Sequence, residues 1–528
     1  MDTHQRLFFF PSFDDQSSHS SELPAFLLLC ISLVLLVVIG HLSLDLDHPF
    51  KIATNSRALF VDGGFYSDAA RNWVQFGQWS FQYDSRHWPG VPFLSVFRAL
   101  VFSWFGVSLE SARLSSIYLS LISCIAFYFI VRTSLKPFVA VALTIAGAST
   151  ITFVAHARSA LAEPTATCFA LLAVLVFVRI RNKNIAIPLS LTFAFISFLS
   201  KMLFLHILAT MVVLWGFELL LRPLLDKQTV EKRAILLFGL SLAGISIIYF
   251  AGVYLFRHEM LTYLSYNTGK SPVFHPVVIT DIASSLYRLG DHTKAYFFSW
   301  AILLSMFWLA GLAFMKNKGR GFRQTVLSMG RAEMAMATWL FIGLVLVGIM
   351  RQHKAHYHFF AILPLAFIAV ISLKLVIASR FQSAAIGILI LAHTSFQIPL
   401  YAEWLERTPK TIFVDASREM ANIIHQQSEP GIIPVMGEYS AQLALFSDRM
   451  LSLDAKWNPL PYLGFCQRLN HWRPKFHVHI VRPRSRSSRM PTWYKTCKFI
   501  THLEDVKRYW LHKKTKDEFV LMRIHYRE

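Results

Sequence analysis

Charge is scarce in this chain. Only 16% of its 528 residues are charged, against roughly 25% in an ordinary soluble domain, and 54% are hydrophobic. Apolar runs of about 18 residues or more, long enough to cross a bilayer, recur from Pro24 to about Leu400. The chain therefore reads as a polytopic membrane protein. Period-two alternation is lacking in these runs, which argues against a transmembrane β-barrel. Residues 1–23 are polar and Ser-rich and lack a basic n-region, and no small-residue cleavage site follows the run 24–43. That run is expected to be an uncleaved first span rather than a signal peptide, and 1–23 a disordered cytoplasmic segment.

Cysteine is also sparse. Five are too few for a disulfide framework. Cys30, Cys124 and Cys168 lie in apolar runs, where a thiol behaves as a small buried hydrophobe. Cys466 and Cys497 lie in the final polar segment and could pair if it faces an oxidising compartment.

Basic residues are abundant by contrast, with a net charge of +21. Their placement argues for topology rather than nucleic acid. "RIRNKN" (179–184), "KQTVEKR" (227–233) and "KNKGRGFRQ" (316–324) lie between apolar runs, as cytoplasmic loops do. Because the basic clusters are split between membrane sides, a nucleic-acid partner is not expected. Membrane lipids are.

Hydropathy places spans near 24–43, 112–132, 137–155, 163–180, 185–200, 203–221, 234–256, 295–315, 334–350, 357–379 and 383–400, about eleven in all. The loop charges put the N-terminus inside and the C-terminal segment outside. Connections 44–111, 156–162, 257–294 and 351–356 then face outward, with Lys201 at a fifth tight turn. Segment 90–107 is apolar with Arg98 in its middle, and a mid-bilayer arginine costs about 2.5 kcal/mol or more. An amphipathic helix in the outer interface, with Arg98 reaching the headgroups, is expected instead. The core thus spans 24–400, and 405–528 forms a small α/β or α+β extracytoplasmic domain. In that domain "KTIFVDA", "GIIPVMG", "KFHVHIV" and "EFVLMRI" read as strands and "SREMANIIHQQ" as a helix.

The outward edges hold the polar residues that could do chemistry. "FVDGGFYSDAARNW" (60–73) sets Asp62 before two glycines at an expected helix start, with Phe65, Ala69, Trp73 and Phe76 on one face. N-capping is the bland account of that carboxylate. In "HARSALAEPTATCF", Glu163 precedes Pro164 at the first turn of a span, five residues after Arg158, and a local ion pair could explain both. Lys201 interrupts "FLSKMLFL", where an ammonium should snorkel or bind an anion. "RQHKAHYHFF" (351–360) brings Arg351, His353, Lys354, His356, Tyr357 and His358 to an outside edge, against the positive-inside preference. Binding an anionic group in the outer leaflet accounts for it better.

In this order the motifs resemble those of the GT-C superfamily of membrane glycosyltransferases, in the branch containing protein O-mannosyltransferases and lipid A aminoarabinose transferases. Asp62, Tyr66, Ala70 and Arg71 match an Asp-(Glu)-x-x-Tyr-x-x-x-Ala-Arg motif in the first outside loop. Arg158 to Glu163 matches a short second outside loop, and Ser200-Lys201 a (Thr/Ser)-Lys. Lys354, His356, Tyr357 and Pro364 match a Lys-x-x-His-Tyr-like element before a Pro-containing span. The resemblance covers about 24–400. The chain departs from it at Gly63, where a second acid is usual, in "RHWPGVP", where Lys-Pro is usual, and in the tighter spacing of "KAHY".

The resemblance implies transfer of a sugar from a polyprenyl-phosphate donor to an unidentified hydroxyl-bearing protein, lipid or glycan. Asp62 would act as base, with inversion, and Glu163 would orient acceptor or base. Arg71, Lys201, Lys354, His356 and Tyr357 would hold the phosphate, and Tyr66 and Arg158 would line the substrate. A divalent metal is the one cofactor the resemblance admits, and the carboxylate that would accompany it is not evident. A bacterial cytoplasmic membrane is favoured over the endoplasmic reticulum. The alternatives are a transporter or flippase for a lipid-linked or anionic substrate, for which no internal repeat is visible, and a catalytically inactive lipid-binding relative.

Overall fold

The computed structural model describes residues 16–42, 44, 58–79, 91–255, 257, 329–349, 361–377, 379–407, 412–437, 439–453, 462–481, 497–512 and 517–527. Its helices are α1 (Gln16–Leu42), α2 (Ala58–Phe76), α3 (Pro92–Phe105), α4 (Leu109–Val131), α5 (Pro137–Ala148), α6 (Ile151–Ala157), α7 (Ala162–Arg179), α8 (Lys183–Ser200), α9 (Leu205–Gly216), α10 (Arg222–Asp226) and α11 (Lys232–Leu255). They continue with α12 (Arg331–Ile349), α13 (Ile362–Val376), α14 (Ser379–Arg407), α15 (Ile412–Gln426), α16 (Ser440–Ala444) and α17 (Tyr462–Trp472). Among the described residues seven helices are long and apolar enough to cross a membrane, or eight if α5 and α6 count as one bent span. The expected span near 295–315 lies outside the described residues.

The core of the membrane part is α7. Its buried Ala162, Ala166, Ala170 and Ala173 recur at helical spacing, and such small residues let neighbouring backbones approach. α4 and α8 pack against it. Ser197 of α8 donates to the Ala166 carbonyl at 2.7 Å, satisfying a hydroxyl that would otherwise be stranded in an apolar layer. The buried Trp215 indole likewise donates to Ser190 Oγ at 2.9 Å.

The span expected at 137–155 is not continuous. α5 and α6 meet at 68°. The break frees backbone groups that must be paired inside a membrane protein, and α14 supplies partners. Gln397 Oε1 accepts from Ile151 N at 2.9 Å, and the Tyr401 hydroxyl donates to Ser149 O at 2.9 Å. Thr150 Oγ1 caps α6 by accepting from Phe153 N.

Three further expectations are corrected. α1 begins at Gln16, so part of 1–23 is helical and Pro24 lies within the helix. Asp62 is the fifth residue of α2 and not its cap, because the apolar residues Ala58–Val61 extend the helix upstream. Arg98 does not reach headgroups. It is fully buried, donating to Leu161 O at 3.2 Å, to Ser67 Oγ at 3.1 Å and to Ala160 O, so its charge is solvated by protein. The outer face of α3, with Val96, Leu100 and Trp104 exposed, stays apolar.

The C-terminal domain holds a five-stranded mixed sheet of β1 (Ile433–Gly437), β2 (Met450–Leu453), β3 (Phe476–Val481), β4 (Ile500–His512) and β5 (Asp517–Tyr526), in the order β2-β1-β3-β5-β4. β1 pairs parallel with β2 and β3, and β5 pairs antiparallel with β3 and β4. Three of the four expected strands form. "KTIFVDA" does not, since from Ile412 it belongs to α15. Its buried Phe413, Val414, Ala416, Met420, Ala421 and Ile424 fall at helical spacing against the sheet, and that packing overrides β propensity. Cys466 on α17 and Cys497 before β4 form a disulfide with a Cα–Cα distance of 5.5 Å.

Candidate active site

α2 lies between two walls, and its two glycines explain how. A Cβ on Gly63 would stand 2.9 Å from the carbonyl oxygen of Ser159, in the turn between α6 and α7. A Cβ on Gly64 would stand 2.6 Å from Gln442 N, in α16 of the C-terminal domain. Each glycine thus allows one backbone-to-backbone approach, which any larger residue would block. Asp62 immediately precedes the two glycines in the sequence.

The turn against Gly63 is held by Arg98. The Ser67 hydroxyl donates to Gly63 O at 2.7 Å while accepting from Arg98, which also grips Ala160 O and Leu161 O. Ala160 has a φ of 53°, a left-handed conformation costly for a residue with a Cβ, and Arg98 on its carbonyl helps to hold it. Burial pulls the Arg98 guanidinium down to about 9, so it remains a cation at neutral pH.

Beyond this turn α7 begins, bringing Glu163 to Lys201. Lys201 is extended (φ −160°, ψ 119°) between α8 and α9, because α8 ends at Ser200. Its ammonium pairs with Glu163 Oε1. The lysine side chain is 8% exposed and the glutamate 0%, so the pair is screened from water. The ammonium also stands 5.5 Å from the centre of the Tyr66 ring, within cation–π range. Tyr66 is one turn after Asp62 on α2. The structure therefore gathers Tyr66, Glu163 and Lys201 beside the Asp62 segment of α2.

Arg158 is buried at the end of α6, in the turn that meets Gly63. His156 was not singled out by sequence. It is buried, donates from Nδ1 to Thr152 O at 2.7 Å and feels the charges of Glu163 and Lys201. Lys354, His356 and Tyr357 lie outside the described residues. Pro364 sits in the first turn of α13, where its missing N–H costs no helical bond.

Arg71 is engaged elsewhere. It is fully buried, and donates from Nε to Ala444 O at 2.8 Å, from Nη2 to Ser447 O at 3.0 Å and to Met450 O, and from Nη1 to Asn72 Oδ1 at 3.0 Å. Those carbonyls belong to the C-terminal domain. Burial lowers the guanidinium to about 10, leaving it charged.

No family model and no curated protein sequence matches this chain. Solved structures do. ArnT from Cupriavidus metallidurans, bound to undecaprenyl phosphate, superposes with a TM-score of 0.57 at 13% identity, covering 94% of this chain and 97% of that one. The chain has an ArnT-like fold. The apo state of ArnT gives a TM-score of 0.55 at 12% identity, over the same shares. The archaeal oligosaccharyltransferase AglB from Archaeoglobus fulgidus, in complex with an inhibitory peptide and a dolichol-phosphate, gives 0.48 at 11% identity over 86% of this chain and 69% of its own. The likeness to ArnT is one of fold, and it extends over 94% of this chain.

Among the described residues no three His, Cys, Asp or Glu side chains converge to hold an ion. The position after Asp62 is Gly63, which has Ser159 O in the way of any side chain.

Proposed function

We propose that this protein transfers a sugar from a polyprenyl-phosphate donor to a hydroxyl acceptor on the extracytoplasmic side of the membrane. The observation that carries the reading is the buried Glu163–Lys201 pair under Tyr66, one turn along α2 from Asp62. The undecaprenyl phosphate in the similar ArnT structure supports a polyprenyl phosphate as the carrier. The Cys466–Cys497 disulfide supports an oxidising compartment for the C-terminal domain.

In this mechanism the Asp62 carboxylate takes the proton of the acceptor hydroxyl. The acceptor oxygen attacks the anomeric carbon in line, and the bond from that carbon to the phosphate oxygen breaks with inversion. The bond electrons leave on the phosphate, whose growing charge needs fixed cations. Lys201 takes one side of it, and Lys354 with His356 and Tyr357 the other. Glu163 fixes the ammonium of Lys201, and Arg158 and Tyr66 line the substrate.

The bend between α5 and α6 is a feature shared with transporters, whose interrupted helices line a substrate cavity. Here Gln397 and Tyr401 close the break, which favours the enzyme reading. The test is sugar transfer by purified protein in lipid, with a labelled polyprenyl-phosphate sugar and a panel of acceptors, followed by analysis of the anomeric configuration. Product of inverted configuration is expected. Retained configuration would remove the single-displacement mechanism, and uptake of label into vesicles without transfer would favour a transporter.

A further inference from the structure

We infer that Arg71 is a positioning residue through which the C-terminal domain sets the place of the helix that carries Asp62. The inference rests on the glycosyl-transfer reading for the role of Asp62. Three contacts of different kinds carry it.

The first is the fork of Arg71 itself. Its donors meet the carbonyls of Ala444, Ser447 and Met450, which lie at the end of α16 and on the way into β2. A helix end leaves such carbonyls without intrahelical partners, so a planar guanidinium with donors in fixed directions matches the need. The second is Gly64, where α16 backbone approaches too closely for any side chain. The third is Phe65, which is buried in the core of the C-terminal domain with Phe413, Met420, Tyr439 and Phe519. Gly64, Phe65 and Arg71 all lie on α2, within three turns of Asp62. The helix is as much a part of the C-terminal domain as of the membrane core.

The receiving surface is itself braced. Ser447 Oγ accepts from Arg449 N and Met450 N at 3.2 Å each and stands 2.6 Å from His425 Nε2. Gln75, one turn after Arg71, reaches the same Ser447 carbonyl at 3.5 Å. A shift of α16 or of the 445–450 turn must therefore move α2. A guanidinium committed to this fork is buried against carbonyls and is not presented to a phosphate.

The experiment compares wild type with Arg71→Lys, Arg71→Ala and Gln75→Ala in lipid nanodiscs. It reads sugar-transfer kcat, affinity for a polyprenyl monophosphate, and hydrogen exchange in segments 58–76 and 440–450. Lysine keeps the charge but cannot reproduce the fork, so both Arg71 variants are expected to lose kcat by about 10²-fold, the cost of a small misplacement at the reacting centre. Polyprenyl-phosphate affinity should stay unchanged, and exchange should rise in both segments together. Gln75→Ala should show the same pattern in weaker form, and it decides the matter if the Arg71 variants fail to fold. Weakened phosphate affinity that lysine restores, with unchanged exchange, would overturn the inference and make Arg71 a phosphate ligand. Faster exchange confined to 440–450 would also overturn it. If the wild type transfers no sugar, the catalytic reading fails on its own, while the paired exchange still decides whether the domain and α2 move together.

Discussion

Lys201 and Glu163 meet as a buried ion pair where the turn after α8 faces the first turn of α7. Their 38-residue separation hides the pair from any local reading of the sequence. In the proposed mechanism, Lys201 meets the leaving phosphate and Glu163 fixes the direction of its ammonium.

Removing one partner of such a pair leaves an uncompensated charge in a dry site, at a cost of about 3–5 kcal/mol. Lys201→Ala is therefore expected to lower the thermal midpoint and abolish transfer together. Lys201→Ala combined with Glu163→Gln should recover much of the stability and none of the transfer. Thermal unfolding and transfer assays on the two variants check this. Recovery of transfer in the double variant would remove Lys201 from phosphate binding.

Gly63→Glu would set a second acid directly after Asp62. The Cβ would stand 2.9 Å from Ser159 O, so α2 or the 158–161 turn must shift. Overpacking of this kind costs about 1–3 kcal/mol, and transfer is expected to fall rather than rise. Gly64→Ala, against Gln442 N at 2.6 Å, should be at least as damaging. Thermal midpoints and transfer rates of both variants are the measurements.

Arg98→Met should destabilise the end of the membrane core at the 158–161 turn. It leaves Ala160 O and Leu161 O without their donor, and each buried acceptor left unsatisfied costs about 1–3 kcal/mol. Limited proteolysis should then cut at the 158–161 turn, which stays protected in the wild type.

The Cys466–Cys497 bond ties α17 to the start of β4 across 31 residues. Opening a native disulfide typically costs about 2–4 kcal/mol. Mild reductant is expected to expose the C-terminal domain to protease before the membrane core, read as fragment sizes on a gel.

The membrane character and most span positions were legible, because apolar runs of sufficient length have few other destinations. Lys201 and Glu163 were legible as polar interruptions of such runs. What those residues touch was not. Arg71 meets carbonyls more than 370 positions away, and Gln397 closes a bend 246 positions before it. Arg98 read as an interfacial charge because its protein acceptors lie in a distant turn. Residues 412–416 read as a strand because β-branched and aromatic residues favour one locally, whereas the apolar face of α15 appears only when the window extends to Ile424. Gly63 and Gly64 were visible as glycines, but the two backbones they admit were not.

In the proposed mechanism Asp62 is the base of a glycosyl transfer. That role is tested by transfer of labelled sugar from a polyprenyl-phosphate donor by wild type and by Asp62→Asn, a near-isosteric change that removes the carboxylate. Transfer by the wild type is expected, with a loss of at least about 10²-fold in the variant, the scale of general-base catalysis, at unchanged thermal midpoint. Equal transfer by a folded Asp62→Asn variant would contradict that role.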